Sequence, residues 1–261
     1  GFIKWFSEEA KRSYGDTIPA TESQNRLSTI KQPIGVVAGI TPWNFPIAMI
    51  TRKVAPAYAA GCSFVIKPSE HTPLCAIALA YLADKAGFVK GALNVVVSEN
   101  AKMVGEIMTE SERVRKFTFT GSTAVGKQLL SQCASTIKQT SMELGGNAPF
   151  IIFENADLDE AVAGLMGAKF RNAGQTCVAA NRIFVQRSVL ETVLEKLTDK
   201  VAELKVGNGL DDGVDIGPLI YPKAKEKVQT LVQDAVDKGA SLIGDNSELE
   251  GSFQAPLILT D

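Results

Sequence analysis

From Ile34 onward, short apolar runs alternate with helical patterns, and this rhythm constrains the fold more than any single motif. Residues 35–40, 63–66, 93–97 and 114–119 read as strands, while 47–59, 74–86, 102–108 and 123–133 read as helices. Strands that are apolar on both faces need cover on both faces, and a parallel sheet wrapped by its own crossover helices supplies it. The expected fold is α/β, with a Rossmann-like, doubly wound parallel sheet.

The rhythm pauses at Met142-Glu143-Leu144-Gly145-Gly146 and restarts with a strand over 150–153 and a helix over 158–171. A strand over 182–185, a helix over 189–204, a turn-rich stretch over 207–217, a helix over 223–238 and a final strand over 256–259 follow. The glycine pair reads as a hinge, which divides the chain near Leu144 into 1–144 and a second α/β domain, 145–261.

Composition removes several classes of function. With 27 basic and 29 acidic residues, a formal charge of −2 and no basic run, the electrostatic footprint of a nucleic-acid binder is missing. Four scattered cysteines (Cys62, Cys75, Cys133, Cys177) form neither a CxxC pair nor a Cys/His cluster, so neither a metal site nor a disulfide scaffold is expected. A reducing, cytoplasmic setting fits that cysteine usage. No apolar run approaches the ~18 residues of a membrane span, and no membrane partner is expected.

Cys177 ends the segment Phe170-Arg171-Asn172-Ala173-Gly174-Gln175-Thr176-Cys177, and the chain has a single histidine, His71. A Cys-His hydrolase would depend on that one histidine as its base. If Cys177 is a nucleophile, a carboxylate or the hydride chemistry of a cofactor must do the remaining work.

Other candidates lie where strands end. Asn44, between prolines in Thr41-Pro42-Trp43-Asn44-Phe45-Pro46, offers an amide donor to a developing oxyanion, or else caps the next helix. Lys67 and Glu70 offer an ammonium and a carboxylate to a ribose, or form a solvated turn. The carboxylate favours a 2′-hydroxyl over a 2′-phosphate. Gly121-Ser122-Thr123-Ala124-Val125-Gly126-Lys127-Gln128 opens a helix after a strand, a phosphate-binding context or an ordinary capped turn. It is not a complete nucleotide-triphosphate loop, because Gln128 stands where Ser or Thr would hold Mg²⁺. Glu143, ending an apolar strand, is expected to be partly desolvated and thus suited to act as a general base, or else is structural. Arg52 and Arg171 can each fork onto a carboxylate, or are surface arginines.

Pro42-Trp43-Asn44-Phe45-Pro46, Lys67-Pro68-Ser69-Glu70, Phe119-Thr120-Gly121-Ser122-Thr123, Glu143-Leu144-Gly145-Gly146 and Gly174-Gln175-Thr176-Cys177 occur in the order seen in the NAD(P)-dependent aldehyde dehydrogenase superfamily, which the chain closely resembles. Met49-Ile50-Thr51-Arg52-Lys53 and Lys169-Phe170-Arg171-Asn172 are similar to the succinate-semialdehyde dehydrogenases within it. The resemblance implies catalytic roles for Cys177 as nucleophile, Glu143 as base and Asn44 as oxyanion donor. It implies cofactor contacts from Ile40, Thr41, Pro42, Trp43, Lys67, Ser69, Glu70, Phe119, Gly121, Ser122, Val125, Leu144 and Gly145, with NAD favoured by Glu70 and NADP as the alternative. Arg52 and Arg171 would bind the substrate carboxylate, with glutarate semialdehyde the alternative to succinate semialdehyde.

Residues 1–144 would then be the dinucleotide-binding domain and 145–261 the catalytic domain. Family members are much longer, so the chain is expected to be a fragment lacking both ends of a homo-oligomeric enzyme. Some succinate-semialdehyde dehydrogenases carry a second cysteine two residues after the nucleophile; Ala179 stands there instead. Two other readings stay open: a nucleotide triphosphatase built on 121–127, and a cofactor-binding fragment without turnover.

Overall fold

Val37 and Ala38 are neighbours on one strand, yet Val37 packs with Ile50, Val54, Phe64 and Ile66 while Ala38 packs with Val104, Met108, Phe117 and Leu129. Successive side chains on a strand point to opposite faces, so this strand is buried on both. The computed structural model, which describes residues 1–245 and 247–260, shows how that cover is built.

The chain folds into two units, Gly1–Gly145 and Gly146–Asp261. The first contains α1 (Phe2–Glu9), β1 (Thr17–Ile18), β2 (Leu27–Ser28), β3 (Val36–Ile40), α2 (Pro46–Ala59), β4 (Ser63–Lys67) and α3 (Pro73–Lys85). It continues with β5 (Leu93–Val95), α4 (Ala101–Glu110), β6 (Val114–Gly121), α5 (Thr123–Cys133) and β7 (Gln139–Leu144). A five-stranded sheet has the order β5-β4-β3-β6-β7, every pair parallel. The α/β expectation holds. Residues of α2 and α3 join the core on one face, and α4 and α5 cover the other.

The second unit contains β8 (Ala148–Ile152), α6 (Leu158–Phe170), β9 (Ala180–Val185), α7 (Leu190–Ala202), α8 (Pro222–Asp237), β10 (Ser241–Ile243) and β11 (Ile258–Thr260). The strands β8 and β9 pair in parallel, whereas β10 and β11 pair antiparallel. Ile152, Val162, Leu165, Val193 and Leu197 form this unit's own buried core.

Two sequence readings need correction. The strand before the glycine pair is not apolar: β7 alternates exposed and half-buried residues, because it is the sheet's edge strand and is paired on one side only. The last strand begins at Ile258 rather than residue 256, since Pro256 has no N–H to give a ladder. The short strands β1, β2 and β10 carry too few residues for a periodic signal.

Candidate active site

Strand register lines up the candidates of the first unit. Lys67 pairs with Ile40, Ile40 with Phe119 and Phe119 with Met142, and one step further Thr120 pairs with Glu143. Thr41 follows β3 directly, and its N–H donates to the Lys67 carbonyl at 3.1 Å. The chain order reverses between β3 and β6, and in open parallel sheets the crevice beyond the carboxyl ends at such a reversal is where ligands bind.

The polar groups there suit a dinucleotide. Thr41 and Thr120, 2% and 7% exposed, carry buried hydroxyls with no hydrogen-bond partner, an unmet demand that a ligand or water satisfies. Ser122 caps α5, its hydroxyl accepting from the Val125 N–H at 3.4 Å. The capped-turn reading is thus realised, and the helix N-terminus beside it retains the dipole that attracts phosphate. Gly121 lies against the buried Phe119 ring, where a Cβ would come within 2.4 Å of Cζ. Pro42 and Trp43 are half-buried in the loop before α2, and Val125 is exposed in the first turn of α5. Ser69 is buried, with Oγ accepting from the His71 N–H at 3.2 Å.

Lys67, 2% exposed, pairs with Glu70 at 2.7 Å. Burial works against the Glu70 charge, but the hydrogen bonds from Lys67 and the backbone outweigh it and hold the carboxyl below its ordinary range. Glu70 is therefore ionised at neutral pH. The two residues occupy each other before they meet any ribose.

Asn44 does not cap α2, whose N-cap is Phe45. Its Oδ1 accepts from the Phe45 N–H at 3.1 Å, so the amide's donor chemistry resides at Nδ2, the group an oxyanion requires. Glu143 is not desolvated: its side chain is 56% exposed on the edge strand, which corrects the sequence expectation. Arg52, on α2, lies 4.0 Å from it.

Next to Arg52 is a residue that motif reading passed over. Lys53 is 8% exposed and donates to Thr118 Oγ1 at 2.8 Å. Burial, reinforced by the Arg52 charge and opposed by Glu143, pulls its pKa down to about 8. The signal was present in the sequence, since Lys53 falls on the same helical stripe as the apolar Ile50, Val54 and Ala57.

In the second unit, α6 ends at Phe170 and a tight turn, Arg171–Gly174, leads to Cys177. Asn172, Ala173 and Gly174 are consecutive left-handed residues, with φ of 56°, 54° and 74°. Glycine takes that conformation freely and asparagine tolerates it, but alanine pays about 1–2 kcal/mol. Asn172 and Gln175 close the turn between them, the Gln175 N–H, the Gln175 Nε2 and the Asn172 Nδ2 donating to main-chain carbonyls at 3.0, 3.2 and 3.3 Å. Arg171 is exposed, and its carbonyl accepts from Thr176 Oγ1 at 3.3 Å. All four cysteines are free thiols: Cys177 is exposed, Cys75 half-buried, and Cys62 and Cys133 buried. Burial pushes the Cys133 thiol up, as befits a packing residue.

A groove of the first unit, about 610 Å³ and lined by Ile3, Phe6, Val54, Tyr58, Leu82 and Phe88 among others, contains none of these candidates. Its lining is mostly apolar, with only the hydroxyls of Ser7, Thr51 and Tyr58 among its polar side chains. Among the described residues no His/Cys/Asp/Glu group could hold a metal, and no helix is long and apolar enough to cross a membrane.

Comparison with known proteins identifies the family. The chain is 56% identical over 262 residues to a 3-sulfolactaldehyde dehydrogenase of Pseudomonas putida, covering 100% of this chain and 54% of that relative. It is equally 56% identical over 262 residues to the NADP(+) succinate-semialdehyde dehydrogenase of Escherichia coli, with the same coverage. A crystal structure of an aldehyde dehydrogenase from Brucella melitensis biovar abortus superposes with a TM-score of 0.97 at 59% identity, covering 99% of this chain and 53% of that one. The chain thus spans about half the length of the relatives it matches. The model of the aldehyde dehydrogenase family matches residues 1–261, end to end, and the chain belongs to that family.

Proposed function

We propose that the complete protein oxidises an aldehyde bearing a remote anionic group, succinate semialdehyde foremost, to the acid. The observation that carries this reading is the exposed Cys177 thiol at the end of a left-handed turn, in a member of the aldehyde dehydrogenase family. Residues 1–144 serve as the dinucleotide-binding domain and 145–261 as the catalytic domain.

The Cys177 sulfur attacks the aldehyde carbon, forming a C–S bond and an oxyanion that the Asn44 amide and the Cys177 N–H stabilise. The nicotinamide, when bound, supplies the acceptor for the hydride that leaves this carbon. What remains is a thioester on Cys177. Glu143 takes a proton from water as the water oxygen attacks the thioester; the C–S bond breaks, the acid leaves and the thiolate returns. Glu143's exposure suits this step, because a base that delivers water must reach it.

Lys67 and Glu70 hold the adenosine ribose, Ser122 the pyrophosphate, and Thr41 and Thr120 take up part of the nicotinamide side. The ionised Glu70 carboxylate repels a 2′-phosphate, which favours NAD over NADP. Tighter binding of NADP than NAD would overturn that preference. Arg52 and Arg171 bind the remote anion, and the relatives that act on succinate semialdehyde and 3-sulfolactaldehyde support an anionic substrate. Glutarate semialdehyde is one methylene longer, a difference of only ~1–3 kcal/mol. The free thiols support a reducing, cytoplasmic setting, and the family resemblance supports a homo-oligomer.

The test is single-turnover NADH formation by the complete chain with succinate semialdehyde, alongside Cys177→Ala. The substitution should lower the rate by about 10³-fold or more. Oxidation that survives it at the parental rate would refute the reading.

A further inference from the structure

We propose that Gln175 is a positioning residue for the nucleophile, its side-chain amide holding the left-handed turn closed and pinning it to Ile220. The proposal rests on the reading of Cys177 as nucleophile. Gln175 works at both ends of its amide: Nε2 donates to the Asn172 carbonyl at 3.2 Å, and Oε1 accepts from the Ile220 N–H at 3.0 Å. Because one partner is an acceptor and the other a donor, the orientation of the amide follows from its neighbours.

The bond to Ile220 spans 45 residues of sequence and ties the turn to a well-anchored segment. On one side of Ile220, Ile216 and Leu219 are buried and the Leu219 N–H donates to the Ser252 carbonyl at 2.9 Å. On the other side, α8 begins at Pro222. The turn itself contains Ala173 in a conformation that alanine avoids, so it needs an outside hold to stay as it is.

Three replacements of similar shape each fail at one task or both. Glutamate can accept from Ile220 but cannot donate to Asn172; methionine does neither; asparagine is one methylene too short. What the hold protects is the backbone leading into Cys177. If the Cys177 N–H serves the oxyanion, an error of about 1 Å there costs about 10²-fold in rate. Alkylation of an exposed thiol by a small electrophile needs no oxyanion donor and should hardly notice.

The experiment compares the complete parent chain with Gln175→Met and Gln175→Glu. In Gln175→Met the Ile220 amide should exchange with deuterium about 10-fold faster, whereas Gln175→Glu, which keeps the acceptor, should retain most of its protection. For succinate semialdehyde, kcat should fall about 10- to 100-fold in Gln175→Met, with KM and the iodoacetamide rate at Cys177 each within about threefold. Gln175→Glu should recover part of the kcat. Unchanged exchange at Ile220, a parental kcat, or an equal fall in kcat and alkylation would each overturn the proposal. Aldehyde oxidation that persists in Cys177→Ala would remove the nucleophile reading instead, and exchange at Ile220 together with the alkylation rate would still decide what Gln175 holds.

Discussion

The candidates of the first unit and the thiol of the second are positioned by opposite means. Asn44, Lys67, Ser122 and Glu143 sit at or just past the carboxyl ends of parallel strands, in ordinary backbone conformations, where a switch-point sheet brings functional groups together by topology. Cys177 follows three left-handed residues outside any strand and depends on side-chain amides to keep its turn closed. A sheet edge tolerates many substitutions without losing its shape. The turn does not, because its conformation is unfavourable for at least one residue in it.

The sharpest way to break this contrast is at Glu143, whose position is set by the sheet and whose chemistry is its own. Glu143→Ala should leave the fold and acyl-enzyme formation intact while slowing deacylation by about 10²–10⁴-fold. Rapid mixing would then show a burst of NADH followed by a slow phase. Steady turnover at the parental rate would show that the base lies elsewhere.

Next in size are the two arginines, one from each region. Arg52→Ala and Arg171→Ala should each lower kcat/KM for succinate semialdehyde about 10- to 150-fold, the worth of a charge-assisted contact. An uncharged aldehyde of equal length should lose far less. Equal losses with both aldehydes would make the arginines structural.

Lys53 tests how far the sheet unit tolerates a charge inside it. Its pKa is lowered to about 8 from 10.5. Below pH 8 both folded and unfolded chains hold the proton, and the buried charge weighs fully on the folded state. Between about 8 and 10.5 the folded chain gives up the proton first, so stability rises with pH across that window. The rise, up to about 3 kcal/mol, should vanish in Lys53→Met when thermal unfolding of the complete chain is followed against pH. A rise of the same size in the variant would place its origin at another group.

The smallest effects set the two loops directly side by side. Ser122→Ala removes an ordinary helix cap and should destabilise by about 1 kcal/mol. Ala173→Gly removes a Cβ from a left-handed position and should stabilise by about 1 kcal/mol, despite the general cost of adding glycine. Loss of stability in both would mean that the turn before Cys177 is not strained.

Much of this was legible in the linear chain. Apolar runs at parallel-strand spacing specified four of the five strands of the sheet, because a strand buried on both faces leaves few alternatives, and strand-to-loop junctions marked Asn44, Lys67 and Gly121 as candidates. The reading failed at β7, which was expected to be apolar but is a half-exposed edge strand, and with it failed the expected burial of Glu143. Lys53 stood in plain view on an apolar stripe, but that its charge is buried against Thr118 follows only from the packing of α2 on β6.

The residue types and their order were enough to settle the α/β class and to bring out Cys177 as the candidate nucleophile, since both follow from local pattern and intrinsic chemistry. The distant partners were decided by tertiary structure alone: Lys53 with Thr118, and Gln175 with an amide 45 residues away. A hydrogen bond between distant segments costs chain entropy that only the packed fold repays, so nothing in the sequence near Gln175 could announce Ile220.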